Sequence, residues 1–132
     1  MDKNKTVHIQ LIQDVISRMA NNSFYMKGWS VTLVSALFAL ATNQATLQFA
    51  LLALFPSISF WLLDSYFLRQ ERLFRKLYDE VCQLKESEIN FSMNTSTFST
   101  DSLLKTALSS TIILFHGVIF LSIFLVLALI KN

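Results

Sequence analysis

The sequence contains little of what turns, disulfides and metal sites require. Its 132 residues include two glycines and one proline, which is too few for a protein rich in loops or β-structure. The single cysteine, Cys82, cannot form a disulfide within the chain and has no metal-binding spacing around it. Charged residues make up 15% of the chain, against about a quarter in a typical soluble domain. These shortages favour a helical protein and exclude a disulfide scaffold.

The shortage of charge is concentrated in long apolar segments. Charged residues cluster before Gly28 and between Asp64 and Lys105. A formal net charge of +2 is too small and too dispersed for direct nucleic-acid binding. Three other segments approach the roughly 20 residues that cross a bilayer as a helix: about 28–43, 47–67 and 107–130. We therefore predict the all-α class, as an integral membrane bundle of three transmembrane helices with amphipathic cytoplasmic helices.

The chain divides into five segments. We predict an amphipathic cytoplasmic helix at 1–23, a transmembrane hairpin at 24–67, a cytoplasmic helical extension at 68–90, a Ser/Thr-rich loop at 91–104 and a third transmembrane helix at 105–132. The short uncharged link Asn43–Thr46 joins the hairpin, whose helices each satisfy their own backbone groups in lipid. Pro56 removes a backbone donor and frees the carbonyl of Leu52, so we expect a kink there. The second span should otherwise continue unbroken into the extension.

Basic residues predict the orientation of the spans. They precede the first span, follow the second and precede the third: Lys3, Lys5, Arg18, Lys27, Arg69, Arg72, Arg75, Lys76 and Lys105. By the positive-inside rule, the N-terminus and the central segment lie in the cytoplasm, and the C-terminus lies outside. The first residues lack the pattern of a signal peptide. We expect a multi-pass protein of the bacterial inner (cytoplasmic) membrane.

Three ionisable residues in or beside the spans are candidates for function. Asp64 is the only acid within a predicted span, and because an unpaired acid in lipid is costly, we expect a partner at Lys27 or Arg69. His116 lies towards the middle of the third span and is a candidate proton or pH sensor. Its alternative role is a hydrogen bond to a hydroxyl or carbonyl of a neighbouring helix. For Asp64, a structural ion pair and a gate or ion site are both open.

Small and hydroxylated residues mark the faces through which helices touch in lipid. One such face occurs in each predicted span: Gly28, Thr32, Ser35, Ala39 and Thr42 in the first, Thr46, Ala50, Ala53 and Ser57 with Asp64 in the second, and Thr106, Ser110 and Gly117 in the third. The simpler interpretation is close packing within one bundle. The alternative is that these faces line a wet path in an oligomer.

The polar segments carry two apolar stripes at helical spacing: Ile12, Val15 and Met19 in the first, and Phe74, Leu77 and Val81 in the second. Each stripe can dock a partner, pack on the other stripe or lie on the membrane surface. Catalytic patterns are missing, since we find no nucleophile with its base and no metal motif around either histidine. We therefore expect no enzyme activity, no cofactor and no metal.

The layout resembles a known group of proteins. An amphipathic helix leads through Asn21 and Asn22 into a membrane hairpin, and a charged helix follows from Leu68 to Arg72. This arrangement resembles the small membrane effectors of bacterial anti-phage systems, of the SLATT type or associated with retrons. The resemblance is one of layout and covers roughly the first two-thirds of the chain. It implies membrane disruption on infection, with arrest or death of the infected cell.

Two functions of different class follow. The first is an inner-membrane effector that forms a homo-oligomer, contacts membrane lipids and perturbs or permeabilises the membrane in abortive infection. A cytosolic defence protein is its candidate partner. The second is a non-pore membrane anchor or scaffold subunit for a cytosolic complex, with the two apolar stripes as docking surfaces.

Overall fold

The computed structural model describes residues 3–44 and 47–132, and every regular element in these ranges is helical. The elements in chain order are α1 (Lys3–Gln44), α2 (Leu47–Leu52), α3 (Leu54–Gln83), a 3-10 turn (Glu86–Glu88), α4 (Leu103–Ala107) and α5 (Ser110–Lys131). Three helical units, α1, the α2–α3 pair and α5, are long and apolar enough to cross a membrane. The all-α class is confirmed, together with three candidate spans.

A single helix, α1, contains both the predicted amphipathic segment and the first span. No glycine or proline occurs between Lys3 and Met26. Asn21 and Asn22 each disfavour a helix by less than about 0.7 kcal/mol, so the helix passes through them. Its 42 residues extend about 63 Å, roughly twice the hydrocarbon thickness of a bilayer. The segment before Phe24 therefore projects well beyond the apolar part of the helix.

The second span is interrupted once, near Pro56. Ala53 leaves the helical pattern between α2 and α3, three residues before the proline, which confirms the expected irregularity. Ser57 donates from both its backbone nitrogen and its Oγ to the carbonyl of Ala53, at 3.2 and 2.7 Å. Ser57 thus bonds the carbonyl of Ala53, whereas the carbonyl that Pro56 was expected to free is that of Leu52. Beyond the interruption α3 continues unbroken into the charged segment, as predicted, but ends at Gln83, short of residue 90.

The third span begins later than predicted. Residues 103–107 form the separate helix α4, whose first turn is capped by Ser102, and α5 starts only at Ser110. At the separation the backbone of Ser109 is extended, and its Oγ donates to the Thr106 carbonyl at 2.6 Å. Serine competes for backbone groups in this way outside helix interiors. The predicted start at residue 107 was wrong.

The molecule has a polar half and an apolar half. We call residues 3–23 and 68–104 the polar half, and residues 24–44, 47–67 and 105–132 the apolar half. Asn43 and Gln44 of the predicted hairpin link belong to α1. Ala45 and Thr46 lie outside the described residues, and so does the side chain of Thr42, so the parts of the small-residue faces predicted there stay predictions.

A hydrophobic cluster holds each half together. In the polar half, Ile12 and Ile16 of α1 pack with Leu77 and Val81 of α3. In the apolar half, the buried members are Val34, Ala53, Ile119 and Ile123, so α1, the α2–α3 pair and α5 all contribute. The two predicted apolar stripes therefore pack on each other within one chain. Ile12, Leu77 and Val81 are buried and form no open docking surface, while Val15, Met19 and Phe74 are half-buried.

The segment between α3 and α4 is tied to the hairpin rather than projecting from it. The Glu86 carboxylate accepts the backbone N–H groups of Asn4 and Lys5, both at 2.9 Å, and an anion at a helix N-terminus is stabilising. Further along, the Nε of Arg69 donates to the Asp101 carbonyl at 3.0 Å. The Ser/Thr-rich segment is a loop, as predicted, up to Ser102.

Candidate functional site

The apolar half contains a buried carboxylate, that of Asp64. It lies in α3 with none of its surface exposed, facing α1 on one side and α5 on the other. An ionised carboxylate in such a place is tolerated only when donors surround it. The side chains that supply those donors come from the two neighbouring helices.

Three side chains donate to the Asp64 carboxylate. The Nζ of Lys27 lies 2.6 Å from Oδ2, and the Nε2 of His116 lies 2.8 Å from the same oxygen. The hydroxyl of Ser23 donates to Oδ1. Lys27 also donates to Ser23 Oγ at 3.1 Å. We call Ser23, Lys27, Asp64 and His116 the polar cluster; it joins α1, α3 and α5 at one point.

The hydrogen-bond roles in the polar cluster follow from the carboxylate. An ionised carboxylate only accepts hydrogen bonds, so the Nε2 of His116 carries the hydrogen that it shares with Asp64. The Nδ1 of His116 is buried and has no partner among the described residues. Asp64 is therefore the common acceptor for donors from α1 and α5.

The sequence predicted part of this arrangement. Of the two cations expected near Asp64, Lys27 is the partner, whereas Arg69 bonds the Asp101 carbonyl. His116 was expected to bond a hydroxyl or a carbonyl if it had a structural role, but its partner is the Asp64 carboxylate. Ser23 was missed because it lies at the end of the segment assigned to the amphipathic helix. Its spacing of four from Lys27, which puts both on one helix face, was the available signal.

Ser23 and Lys27 are the residue types of a serine–lysine hydrolase pair, and their atoms are close enough to interact. A general base must, however, be free of its proton to activate the hydroxyl. The Nζ of Lys27 is engaged by the Asp64 carboxylate, and the Ser23 hydroxyl donates to Asp64 rather than to Lys27. This geometry favours a structural role, and the absence of enzyme activity stays a prediction.

Within residues 3–44 and 47–132, no group of three His, Cys, Asp or Glu side chains is placed to hold a metal ion. The predicted absence of metal and cofactor is not tested by this geometry. The polar cluster itself offers only one carboxylate and one imidazole, and both are already engaged by protein partners. Its chemistry is that of a hydrogen-bonded ion pair.

The two small-residue faces that the structure describes most fully have opposite surroundings. Ala50, Ala53 and Ser57 of the α2–α3 pair are buried, with no exposed surface, on the same side as Asp64. On α1, Gly28, Thr32, Ser35 and Ala39 are all exposed. Close packing within one bundle therefore holds for the small-residue face of the second span and not for that of the first.

The α5 face is intermediate. Thr106 is buried in α4, Ser110 is exposed and Gly117 is half-buried. A Cβ atom built on Gly117 or on Gly28 would meet nothing within 4 Å. Among the described residues, neither glycine is therefore required for the close approach of another helix. Contact with another molecule is one explanation for both.

Comparisons with protein-family models, with curated proteins and with solved structures found no match to this chain. The geometry of the helices and of the polar cluster therefore carries the functional inference.

Proposed function

We propose that this chain is a small, multi-pass protein of the bacterial inner membrane that self-associates and perturbs or permeabilises the membrane. The observation that carries the proposal is the exposed small-residue face of α1, formed by Gly28, Thr32, Ser35 and Ala39. In lipid, small residues promote helix association because they let backbones approach closely. The Thr32 hydroxyl bonds the Gly28 carbonyl of its own helix at 2.9 Å, so the face presents a small and flat surface.

Permeabilisation requires more than one copy of the chain. Three closely packed helices do not easily enclose an aqueous path, and here three spans meet around the buried polar cluster. A conducting path would have to form between chains. The groove around Gly28, which is bordered by Phe24, Tyr25, Trp29 and Thr32, is the place on α1 into which side chains of a second copy would fit.

The distribution of basic residues supports a cytoplasmic polar half. The N-terminal part of α1 and the C-terminal part of α3 pack together, so the basic residues of both lie at the same end of the molecule. Cytoplasmic ends of spans carry the excess of Lys and Arg. The N-terminus is then cytoplasmic, and the C-terminus lies outside. Fusions of a topology reporter at Ala45 and at the C-terminus should report outside, and a fusion at Ser96 should report inside.

The biological setting, abortive infection in anti-phage defence, follows from the resemblance of layout to small membrane effectors of such systems. That setting predicts toxicity without any other component once the protein accumulates. Expression should be induced alone while membrane potential and viability are followed. A rapid loss of potential before loss of viability supports the proposal, and full potential at high abundance contradicts it.

A specific control separates membrane perturbation from the burden of expressing a membrane protein. Ser35→Leu adds bulk to the exposed small-residue face, and Leu40→Phe adds bulk to an exposed site elsewhere on α1. Only Ser35→Leu should relieve the loss of potential at equal abundance. Equal relief by both variants, or by neither, would assign the toxicity to something other than this face.

A membrane anchor for a cytosolic partner is the second candidate, and one observation favours it. The polar half contains an open groove of about 650 Å³ lined by Leu11, Asp14, Val15, Phe74 and Met93 among others. Val15 and Phe74 belong to the predicted docking stripes, and like Met19 they are only half-buried. Under this function the protein alone would leave the membrane potential unchanged, and Val15→Glu would abolish recovery of a partner.

A further inference from the structure

The strongest unassigned feature is a groove between α1 and α5 that starts at the polar cluster. Lys27 and Val31 of α1 line one side, and Thr111, Leu114, Phe115, Val118 and Ile119 of α5 line the other. We call it the Lys27 groove. Its volume of about 520 Å³ lies within the range of small-ligand pockets. Apart from Lys27 and Thr111 at one end, its lining is entirely apolar.

The polar end of the Lys27 groove lies at the level expected for lipid headgroups. Phe24, Tyr25 and Trp29, which surround Lys27 in α1, are all large and exposed. Exposed aromatic residues gather where a span meets the headgroup region. Thr111, in the first turn of α5, lies at the same end of the groove. The apolar lining then continues towards the hydrocarbon.

The Lys27 ammonium retains capacity for another partner. Two of its three N–H donors are used by Asp64 and Ser23, Nζ also lies 5.9 Å from the centre of the Phe115 ring, and 25% of the side chain is exposed. Thr111 adds a hydroxyl, and the first turn of α5 adds the positive end of a helix dipole. Ser109 provides no side-chain cap to α5, and Ser110 and Thr111 of this turn are exposed. The end of the groove thus favours an oxygen-bearing anion.

We propose that the Lys27 groove binds an anionic phospholipid, with the headgroup phosphate against Lys27 and Thr111. One acyl chain lies along Val31, Leu114 and Val118. From Thr111 to Val118 the groove extends about 10 Å at the helical rise, which matches the upper part of a chain. This lipid bridges α1 and α5 beside the polar cluster and holds the two helices together on their lipid-facing side. The proposal requires a membrane setting and is independent of any effector activity.

The test uses the purified full-length chain in a non-ionic detergent. Phosphatidylglycerol and phosphatidylcholine with identical acyl chains compete at equal concentration, and bound lipid is counted by native mass spectrometry. One ammonium near a headgroup gives a preference of about fivefold for the anionic lipid. Val118→Trp fills the groove and leaves every charge in place. This variant should abolish the preference, and Leu125→Trp, the same change two turns further along α5, should keep it.

Three results would overturn the proposal. Equal binding of the two lipids to the unmodified chain would show that the groove does not select an anionic lipid. An unchanged preference in Val118→Trp assigns it to the dispersed basic residues of the polar half. Competition by glycerol 3-phosphate, which has no acyl chains, at concentrations similar to the lipid would show a site for a free phosphate ester instead. Because Val118 is exposed and outside the polar cluster, its replacement tests the groove without removing the ion pair.

Discussion

Two faces of similar composition have opposite roles in this molecule. The face of α1 with Gly28, Thr32 and Ser35 is exposed, whereas the face of α2–α3 with Ala50, Ala53 and Ser57 is buried. Both faces have small residues three or four positions apart. In lipid no hydrophobic driving force favours the burial of either face against another helix. The difference is Asp64, which shares the second face and needs donors from both α1 and α5. The small-residue face that is used within the chain is the one that also carries the buried charge.

Of the variants that test this contrast, the one that breaks the ion pair should have the largest effect on stability. Asp64→Asn leaves the Lys27 ammonium without its countercharge, at an expected cost of about 3 kcal/mol in the free energy of unfolding. Movement of Lys27 towards the interface would reduce that cost. Thermal unfolding in detergent and abundance in the membrane measure the effect.

Two further variants show whether the effect belongs to the pair. Adding Lys27→Gln to Asp64→Asn should restore part of the stability, since no unpaired charge is then left. Asp101→Asn, at a partly exposed acid that pairs with Arg72 and Lys105, should change stability by less than about 0.5 kcal/mol. Normal stability of Asp64→Asn together with altered conductance or toxicity would make Asp64 a gate or ion site instead.

Overpacking the buried face should have the next largest effect. Ser57→Leu inserts a larger side chain at a position with no exposed surface and removes the hydroxyl bond to Ala53. We expect a loss of about 1–3 kcal/mol in the free energy of unfolding, measured by thermal unfolding. Retention of full stability with loss of oligomer would show that Ser57 contacts another subunit, as one of the two sequence interpretations allowed.

The same substitution on the exposed face should leave the monomer intact. Ser35→Leu changes an exposed side chain, so stability should remain within about 0.5 kcal/mol of the unmodified chain. Assembly should weaken, because leucine separates helix backbones that small residues let approach. Cross-linking in membranes measures the oligomer. An unchanged oligomer in Ser35→Leu would remove this face as the subunit contact.

The smallest effect concerns the glycine of α5. A Cβ at Gly117 meets nothing within 4 Å, and alanine is the better helix former by about 1 kcal/mol in water. Gly117→Ala should therefore raise thermal stability slightly when the chain is monomeric in detergent. If Gly117 also contacts a second copy, the variant should lower the oligomer fraction in membranes. A loss of monomer stability would contradict the open space around Gly117.

Much of the architecture was predictable from local pattern. The scarcity of charge in three segments predicted the candidate spans, and the absence of breakers after Phe67 predicted the continuation of α3. Proline chemistry predicted the interruption near Pro56. The late start of α5 was not predicted, because apolar composition continues through Ala107 and Leu108. The separation of α4 coincides with the extended backbone of Ser109 and the bond from its hydroxyl to Thr106.

The sequence predicted which residues form the site better than it predicted the contacts between them. Asp64, Lys27 and His116 stood out because ionisable groups are rare in apolar segments, and similar depth predicted the pairing of Asp64 with Lys27. The bond from His116 to Asp64 joins residues 52 apart in the chain. The helical period relates only residues a few positions apart, so it could not predict this bond. Ser23 has an ordinary polar context in the sequence, so only its contact with Asp64 distinguishes it.

By itself, the sequence determined that the chain is helical, where the apolar helices lie and which residues share a face of each helix. These properties depend on composition and on the 3.6-residue period, and both are local. Only the tertiary structure decided which face of each helix meets another. That choice depends on how three helices together satisfy one buried carboxylate, with donors from Ser23, Lys27 and His116. The small-residue face of α1 is left exposed because the opposite side of that helix supplies two of the three donors.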